Sequence, residues 1–253
     1  MAAALIVPRT LSLRDWLRVS LRMLALVTLL AMAIPLFYMF RWRGGINPCP
    51  RIFLGGVAFI AGVQIVTSGV RPTGQTLLIA NHVSWIDISA LSWITGCSFV
   101  GHDGLAEMPL LKWLCKMNNT VFVARHERTN LPEQVAAVRA AMAMTHALTI
   151  FPEGTTSDGT GVLPFKSSLL SAFEPLPAGV TVQPAALNYG ANAADVAWVG
   201  EEHGLDNFLR TLARRERLIV TAEFLPALAG DQLADRKAMA AAAQQAIARA
   251  LMR

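Results

Sequence analysis

The sequence predicts an α/β fold: a largely parallel central sheet flanked by helices, preceded by an N-terminal apolar membrane helix or helical hairpin. Three observations predict it. From about residue 64 short β-branched runs alternate with helical patterns, the order that builds parallel sheets. Ahead of them, residues 23–40 are an uninterrupted uncharged run. Two turn segments rich in polar groups directly follow strand-like runs, where the sites of such sheets gather. The division expected is an anchoring segment over 1–63 and one folded domain over 64–253, within the size that a single core sustains.

Hydrophobic residues make up 54% of the chain and charged residues 15%, against about 45–50% and about 25% in ordinary soluble domains. Part of the surface therefore faces something other than water. The formal net charge is +5, but the first 60 residues hold seven arginines against Asp15 alone, which leaves the remaining 193 residues at −1. A nucleic-acid binder carries its basic stripe on the folded domain, so no nucleic acid is expected. Here the positive charge flanks the most apolar segment, as suits anionic lipid headgroups. Cys49, Cys97 and Cys115 are odd in number and form no close pair, which fits a reducing, cytosol-facing domain.

At about 1.5 Å per residue, a helix over Met23 to Phe40 just reaches across a hydrocarbon core of about 30 Å. The run ends in aromatic residues and Arg41-Trp42-Arg43 instead of a small-residue cleavage site, so it reads as a retained anchor. Before it, Ser12 and Asp15 form a capping-box pattern, and Arg14, Arg18 and Arg22 recur every four residues, giving the helix a basic, interfacial first part. A second apolar stretch, Ile52 to Val63, follows Gly44, Gly45, Pro48 and Pro50. The two stretches form either a hairpin dipping into one leaflet or one spanning helix followed by a core helix.

Beyond the anchor, strand patterns fall at 64–68, 76–80, 97–100, 120–124, 148–151, 180–187 and 217–224. Helical patterns fall at 85–95, 107–117, 131–146 and 203–215. The alanine-rich segment 231–253 favours a closing helix.

The first polar turn is Asn81-His82-Val83-Ser84-Trp85-Ile86-Asp87, after the apolar run Leu77 to Ala80. An unperturbed imidazole accepts a proton near neutral pH, and a carboxylate fixes its tautomer and stabilises the imidazolium. Asp87 is close enough in sequence to serve His82 in this way. Ser84 and Asp87 also match a capping box, a purely structural use of the same acid.

The second is Phe151-Pro152-Glu153-Gly154-Thr155-Thr156-Ser157, where glycine and hydroxyl residues expose backbone N–H groups to an anion. It lacks the G-K-[ST] of a phosphate-binding Walker loop and the third glycine of a dinucleotide fingerprint.

Together the two turns resemble the motifs of the glycerolipid acyltransferase family, the 1-acyl-sn-glycerol-3-phosphate and lysophospholipid acyltransferases. The resemblance runs from about Gln64 to Asn188. Its first block is carried by Asn81, His82 and Asp87, its second by Val121-Phe122-Val123-Ala124-Arg125, its third by Phe151 to Gly154 and its fourth by Val182-Gln183-Pro184-Ala185. It implies that His82 is a general base, that Asp87 is its partner, and that Arg125 and Glu153, with Gly154, Thr155 and Thr156, hold the acceptor's polar head. The chain departs from the family at Thr156, usually arginine, at Ala124, usually an acid, and at His102, often lysine. Lys166 is the candidate replacement for the missing cation.

The resemblance implies transfer of a fatty acyl chain from acyl-coenzyme A or acyl carrier protein, as co-substrate, to a lysolipid hydroxyl, with no metal or other cofactor. Lysophosphatidic acid is the expected acceptor, and a lyso-ornithine lipid the alternative. Without a G-x-S-x-G elbow or a cysteine beside His82, direct attack by the acceptor hydroxyl is expected instead of an acyl-enzyme. The rivals are a non-catalytic membrane lipid-binding protein and a thioester hydrolase.

Overall fold

The computed structural model describes residues 11–102, 109–123, 136, 138–142, 145–200 and 202–253. Helix α1 (Leu13–Arg43) starts at the predicted capping box, with Ser12 accepting from the Asp15 N–H and Asp15 accepting from the Ser12 N–H. It is the one helix among the described residues long and apolar enough to cross a membrane, and almost none of its apolar window is buried by the rest of the chain.

Helix α2 (Cys49–Ile60) runs back along α1. Asn47 sets the reversal: its amide donates to the Phe37 carbonyl and its side-chain oxygen accepts the Cys49 N–H. Two adjacent glycines then let α2 pack on both sides. A Cβ on Gly56 would stand 2.7 Å from the Leu29 side chain of α1, and one on Gly55 would stand 2.3 Å from the Trp93 ring. Trp93 lies on α3 (Ile86–Thr95) of the folded domain. Helix α2 is thus both the hairpin partner of α1 and a helix packed on the domain.

Arg18 and Arg22 turn toward the domain. Their guanidinium groups donate to the carbonyls of Leu212, Ala213 and Arg214 at the end of the helix Gly204–Ala213, where unpaired carbonyls and the helix dipole favour a cation. Arg14, Arg41 and Arg43 remain exposed.

The sheet has seven strands in the order β1-β7-β6-β2-β5-β3-β4. They are β1 (Val63–Gly69), β2 (Thr76–Ala80), β3 (Ser98–His102), β4 (Val121–Val123), β5 (Ala147–Ile150), β6 (Thr181–Asn188) and β7 (Leu218–Phe224). All neighbours are parallel except β6 and β7, so the largely parallel expectation holds, with β1 and β7 running against the other five. Strand β2 is buried on both faces: Leu78 and Ala80 enter one core layer, Leu77 and Ile79 the other, as a period of two demands.

The predicted strands and helices fall where expected within a residue or two, including α4 (Pro109–Met117). Of the predicted helix over 131–146, residue 136 and residues 138–142 are helical and the rest lies largely outside the described residues. The closing segment is a short 3₁₀ turn and then the helix Arg236–Leu251, N-capped by Asp235. Three elements among the described residues have no counterpart in the sequence reading, the 3₁₀ segments Ser167–Phe173 and Gly190–Asn192 and the short helix Ala193–Val196.

Candidate active site

Three parallel strand ends meet at one rim of the sheet. Ile79 of β2 is in register with Ile150 of β5, and Ala80 with Ala185 of β6. Asn81 extends this ladder with its side chain, donating to the Leu187 carbonyl at 2.9 Å and accepting the Leu187 N–H at 2.8 Å. The start of β1 reaches the same rim, because Val63 pairs with Leu218 while Thr221 pairs with Asn188. The α1–α2 hairpin therefore joins the domain at the end that carries the polar turns.

His82 follows Asn81, and its backbone is held from two sides. Its N–H donates to Glu153 Oε1 at 2.8 Å, and its carbonyl accepts from Ser157, from the N–H at 2.7 Å and from the hydroxyl at 3.1 Å. The ring stacks on Phe151, with centroids 4.1 Å apart and planes 15° apart. Main chain and ring are both fixed before any substrate is considered.

Asp87 sits in the first turn of α3. Its Oδ2 accepts from His82 Nδ1 at 2.8 Å, from the Val83 N–H at 2.7 Å and from the Ser84 N–H at 2.9 Å. Its Oδ1 accepts the Tyr189 hydroxyl. The bond from Ser84 is the acid's half of the predicted capping box, so capping and pairing with His82 are one arrangement. An ionised carboxylate can only accept, which assigns the proton to Nδ1 and leaves Nε2 of His82 with its lone pair. The His82 side chain keeps 19% exposure and that of Asp87 none.

Glu153 is 1% exposed. Besides the His82 N–H, it accepts the Leu163 N–H at 3.1 Å through Oε2. Burial raises its carboxyl to about 7 despite these two bonds, because desolvation disfavours the charged form. Each oxygen thus takes a backbone N–H, which makes Glu153 a support for His82.

Gly154 turns the chain at φ 68°, a conformation that side chains rarely accept. A Cβ there would lie 3.2 Å from the Lys166 ammonium, so Lys166 reaches across this turn. Thr155 is exposed. Thr156 donates its hydroxyl to the Trp198 carbonyl, and the Trp198 N–H donates to the Val83 carbonyl at 3.1 Å. Thr156 therefore ties the loop after β6 to the two polar turns. Arg125 and Ala124 lie outside the described residues; the strand leading to them, β4, is separated from β2 by β5 and β3.

Sequence reasoning missed Tyr189, Ser157 as a clamp on His82, and Trp198. Tyr189 lies 102 residues from Asp87, so no local spacing could have joined them. The thiols offer no rival nucleophile where burial is complete: it pushes Cys97 up to about 11.

Comparison with known proteins agrees with this geometry. The Acyltransferase family model matches residues 63–188. The lyso-ornithine lipid O-acyltransferase of Brucella abortus is 35% identical over 181 residues, covering 68% of each chain. That of Rhizobium meliloti is 31% identical over 88% of this chain and 82% of its own. The 1-acyl-sn-glycerol-3-phosphate acyltransferase of Neisseria gonorrhoeae is 29% identical over 78% of this chain and 81% of its own. The crystal structure of the 1-acyl-sn-glycerophosphate (LPA) acyltransferase PlsC from Thermotoga maritima superimposes with a TM-score of 0.64 over 94% of this chain and 96% of its own, at 19% identity, and so shares the fold. A histidine and aspartate at one strand end, on a fold and a sequence held in common with these enzymes, place the chain in the glycerolipid acyltransferase family.

Proposed function

We propose that this enzyme transfers a fatty acyl chain from a thioester donor to the free hydroxyl of a lysolipid, with His82 as general base. The observation that carries the mechanism is the bond from His82 Nδ1 to the buried Asp87, which leaves Nε2 free to accept. As the acceptor oxygen attacks the thioester carbonyl carbon, Nε2 takes the hydroxyl proton. The tetrahedral intermediate then collapses: the C–S bond breaks, the thiolate leaves, and the proton on His82 passes to sulfur. Asp87 stabilises the imidazolium between these steps. Acyl-coenzyme A and acyl carrier protein are the donors that supply such a thioester. Glu153 acts by holding the His82 main chain, and the expected contact of Arg125 with the acceptor head stands as part of the proposal.

Thr156 bears on the acceptor. At the position where the family usually carries arginine, its hydroxyl is given to the Trp198 carbonyl, so this position brings no cation to the site. Lys166, over Gly154, brings a single positive charge. A lyso-ornithine head presents one carboxylate alongside its own side-chain ammonium and so asks for less positive charge from the site, whereas lysophosphatidic acid presents a phosphate monoester that calls for more. Relatives at 31–35% identity carry the lyso-ornithine name. We therefore move the preferred acceptor from lysophosphatidic acid to a lyso-ornithine lipid. Side-by-side kcat/KM measurements with the two acceptors test this, and a preference for lysophosphatidic acid would return the assignment to the phosphate acceptor.

The catalytic rim faces the membrane in this reading, because the α1–α2 hairpin joins the domain at that end. We place the domain on the cytosolic side, where acyl-coenzyme A and acyl carrier protein are found and where free thiols persist.

A further inference from the structure

Asp87 divides its work between two oxygens. Oδ2 faces His82 and two backbone N–H groups, while Oδ1 faces the hydroxyl of Tyr189. Tyr189 is 2% exposed and stands just past β6, two residues beyond the Leu187 that Asn81 clamps. It belongs to the core cluster that includes Val83 and Ile86, the apolar residues within the first polar turn. For packing alone, phenylalanine would fill this position. A buried phenol needs an acceptor, and the one supplied here is a carboxylate with no solvent contact.

We propose that Tyr189 is a positioning residue of the acyl transfer, the outer member of a Tyr189–Asp87–His82 chain that orients the carboxylate and shares its charge. The proposal rests on the reading of His82 as general base. Burial, together with the charge of Asp87, holds the Tyr189 phenol well above its ordinary range, so it remains a donor at every pH at which the enzyme works.

The titratable groups facing this chain are His82 from the end of β2, Glu153 from the end of β5 and Tyr189 from the end of β6, with Lys166 across the Gly154 turn. Removing the hydroxyl concentrates the carboxylate's charge on the side facing His82. The carboxylate then attracts the His82 imidazolium more strongly than it does with the hydroxyl in place. Glu153 is present in both proteins, so their comparison differs in the Tyr189 hydroxyl alone.

The test uses the full-length protein in lipid vesicles, with palmitoyl-coenzyme A as donor and lyso-ornithine lipid and lysophosphatidic acid as acceptors. Tyr189→Phe should lower kcat about tenfold near pH 6.5 with little change in KM. It should also move the acid limb of the kcat/KM profile upward by about half a unit. In an Asp87→Asn background the same substitution should change kcat by less than about twofold, because partners acting through one another are not additive. An unmoved acid limb, or an equal loss in the Asp87→Asn background, would show that the hydroxyl serves packing alone. Should Tyr189→Phe fail to fold, 3-fluorotyrosine at position 189 keeps the volume and strengthens the donor. It should shift the limb downward, and an unmoved limb overturns the proposal. Turnover by His82→Ala at the wild-type rate would instead remove the general-base reading itself, so the two failures are distinct.

Discussion

Glu153 accepts the backbone N–H of His82 at 2.8 Å, so a carboxylate at the end of β5 holds the main chain of the histidine at the end of β2. Its other oxygen takes the Leu163 N–H. Truncation would leave two backbone donors without a partner inside the protein, at about 1–3 kcal/mol each. Glu153→Ala should therefore lower the melting temperature and kcat together while KM for the acceptor changes little. A sharp rise in KM with an unchanged melting temperature would make Glu153 a headgroup contact instead.

The same carboxyl makes a prediction about pH. Its value rises from 4.5 to about 7 on folding, so between these limits the folded protein keeps a proton that the unfolded chain has released. Stability contributed by this group should fall as pH rises from about 4.5 to about 7 and level off above. Thermal denaturation across that range should show the decline, and Glu153→Gln should flatten it. An identical slope in the variant would assign the pH dependence to other groups.

Headgroup selection should respond at Lys166 and Thr156. Lys166→Ala removes one charge-assisted contact and should raise KM for a lyso-ornithine lipid by about tenfold, leaving kcat nearly constant. Thr156→Arg should raise kcat/KM for lysophosphatidic acid relative to the lyso-ornithine lipid. The ratio of the two specificity constants is the measurement, and an unchanged ratio in both variants would place the acceptor head elsewhere.

Much of this architecture was legible in the sequence because it is local. Strand β2 reads as a run of five buried residues, and the pair His82 and Asp87 lies within one turn and the first turn of a helix. The capping box at Ser12 and Asp15 was legible for the same reason. What escaped depends on contacts distant in the chain. The turn of Arg18 and Arg22 toward carbonyls about 190 residues away, the bond from Thr156 to Trp198 and that from Tyr189 to Asp87 follow from how the strand ends converge. The two backbone donors of Glu153 escaped on the same ground, since nothing in a polar turn's sequence shows that the His82 and Leu163 N–H groups converge on its carboxyl.

The helical hairpin is held by contacts that glycine alone permits. Gly55→Val places a side chain against the rigid Trp93 ring, and Gly56→Val against the flexible end of Leu29. Both should destabilise the protein by about 1–3 kcal/mol, with Gly55→Val the larger effect. Melting temperatures in one detergent compare them, and an unperturbed Gly55→Val would show that α2 is not packed on α3 as described.

The central claim is that His82 takes the proton of the attacking hydroxyl. Its most direct test is the rate of acyl transfer by His82→Ala, reconstituted in vesicles with the acceptor that the wild type prefers and saturating acyl-coenzyme A. Loss of a general base should lower kcat by about a hundred-fold to ten-thousand-fold, with KM and melting temperature nearly unchanged. Wild-type kcat in folded, membrane-inserted His82→Ala would contradict the account.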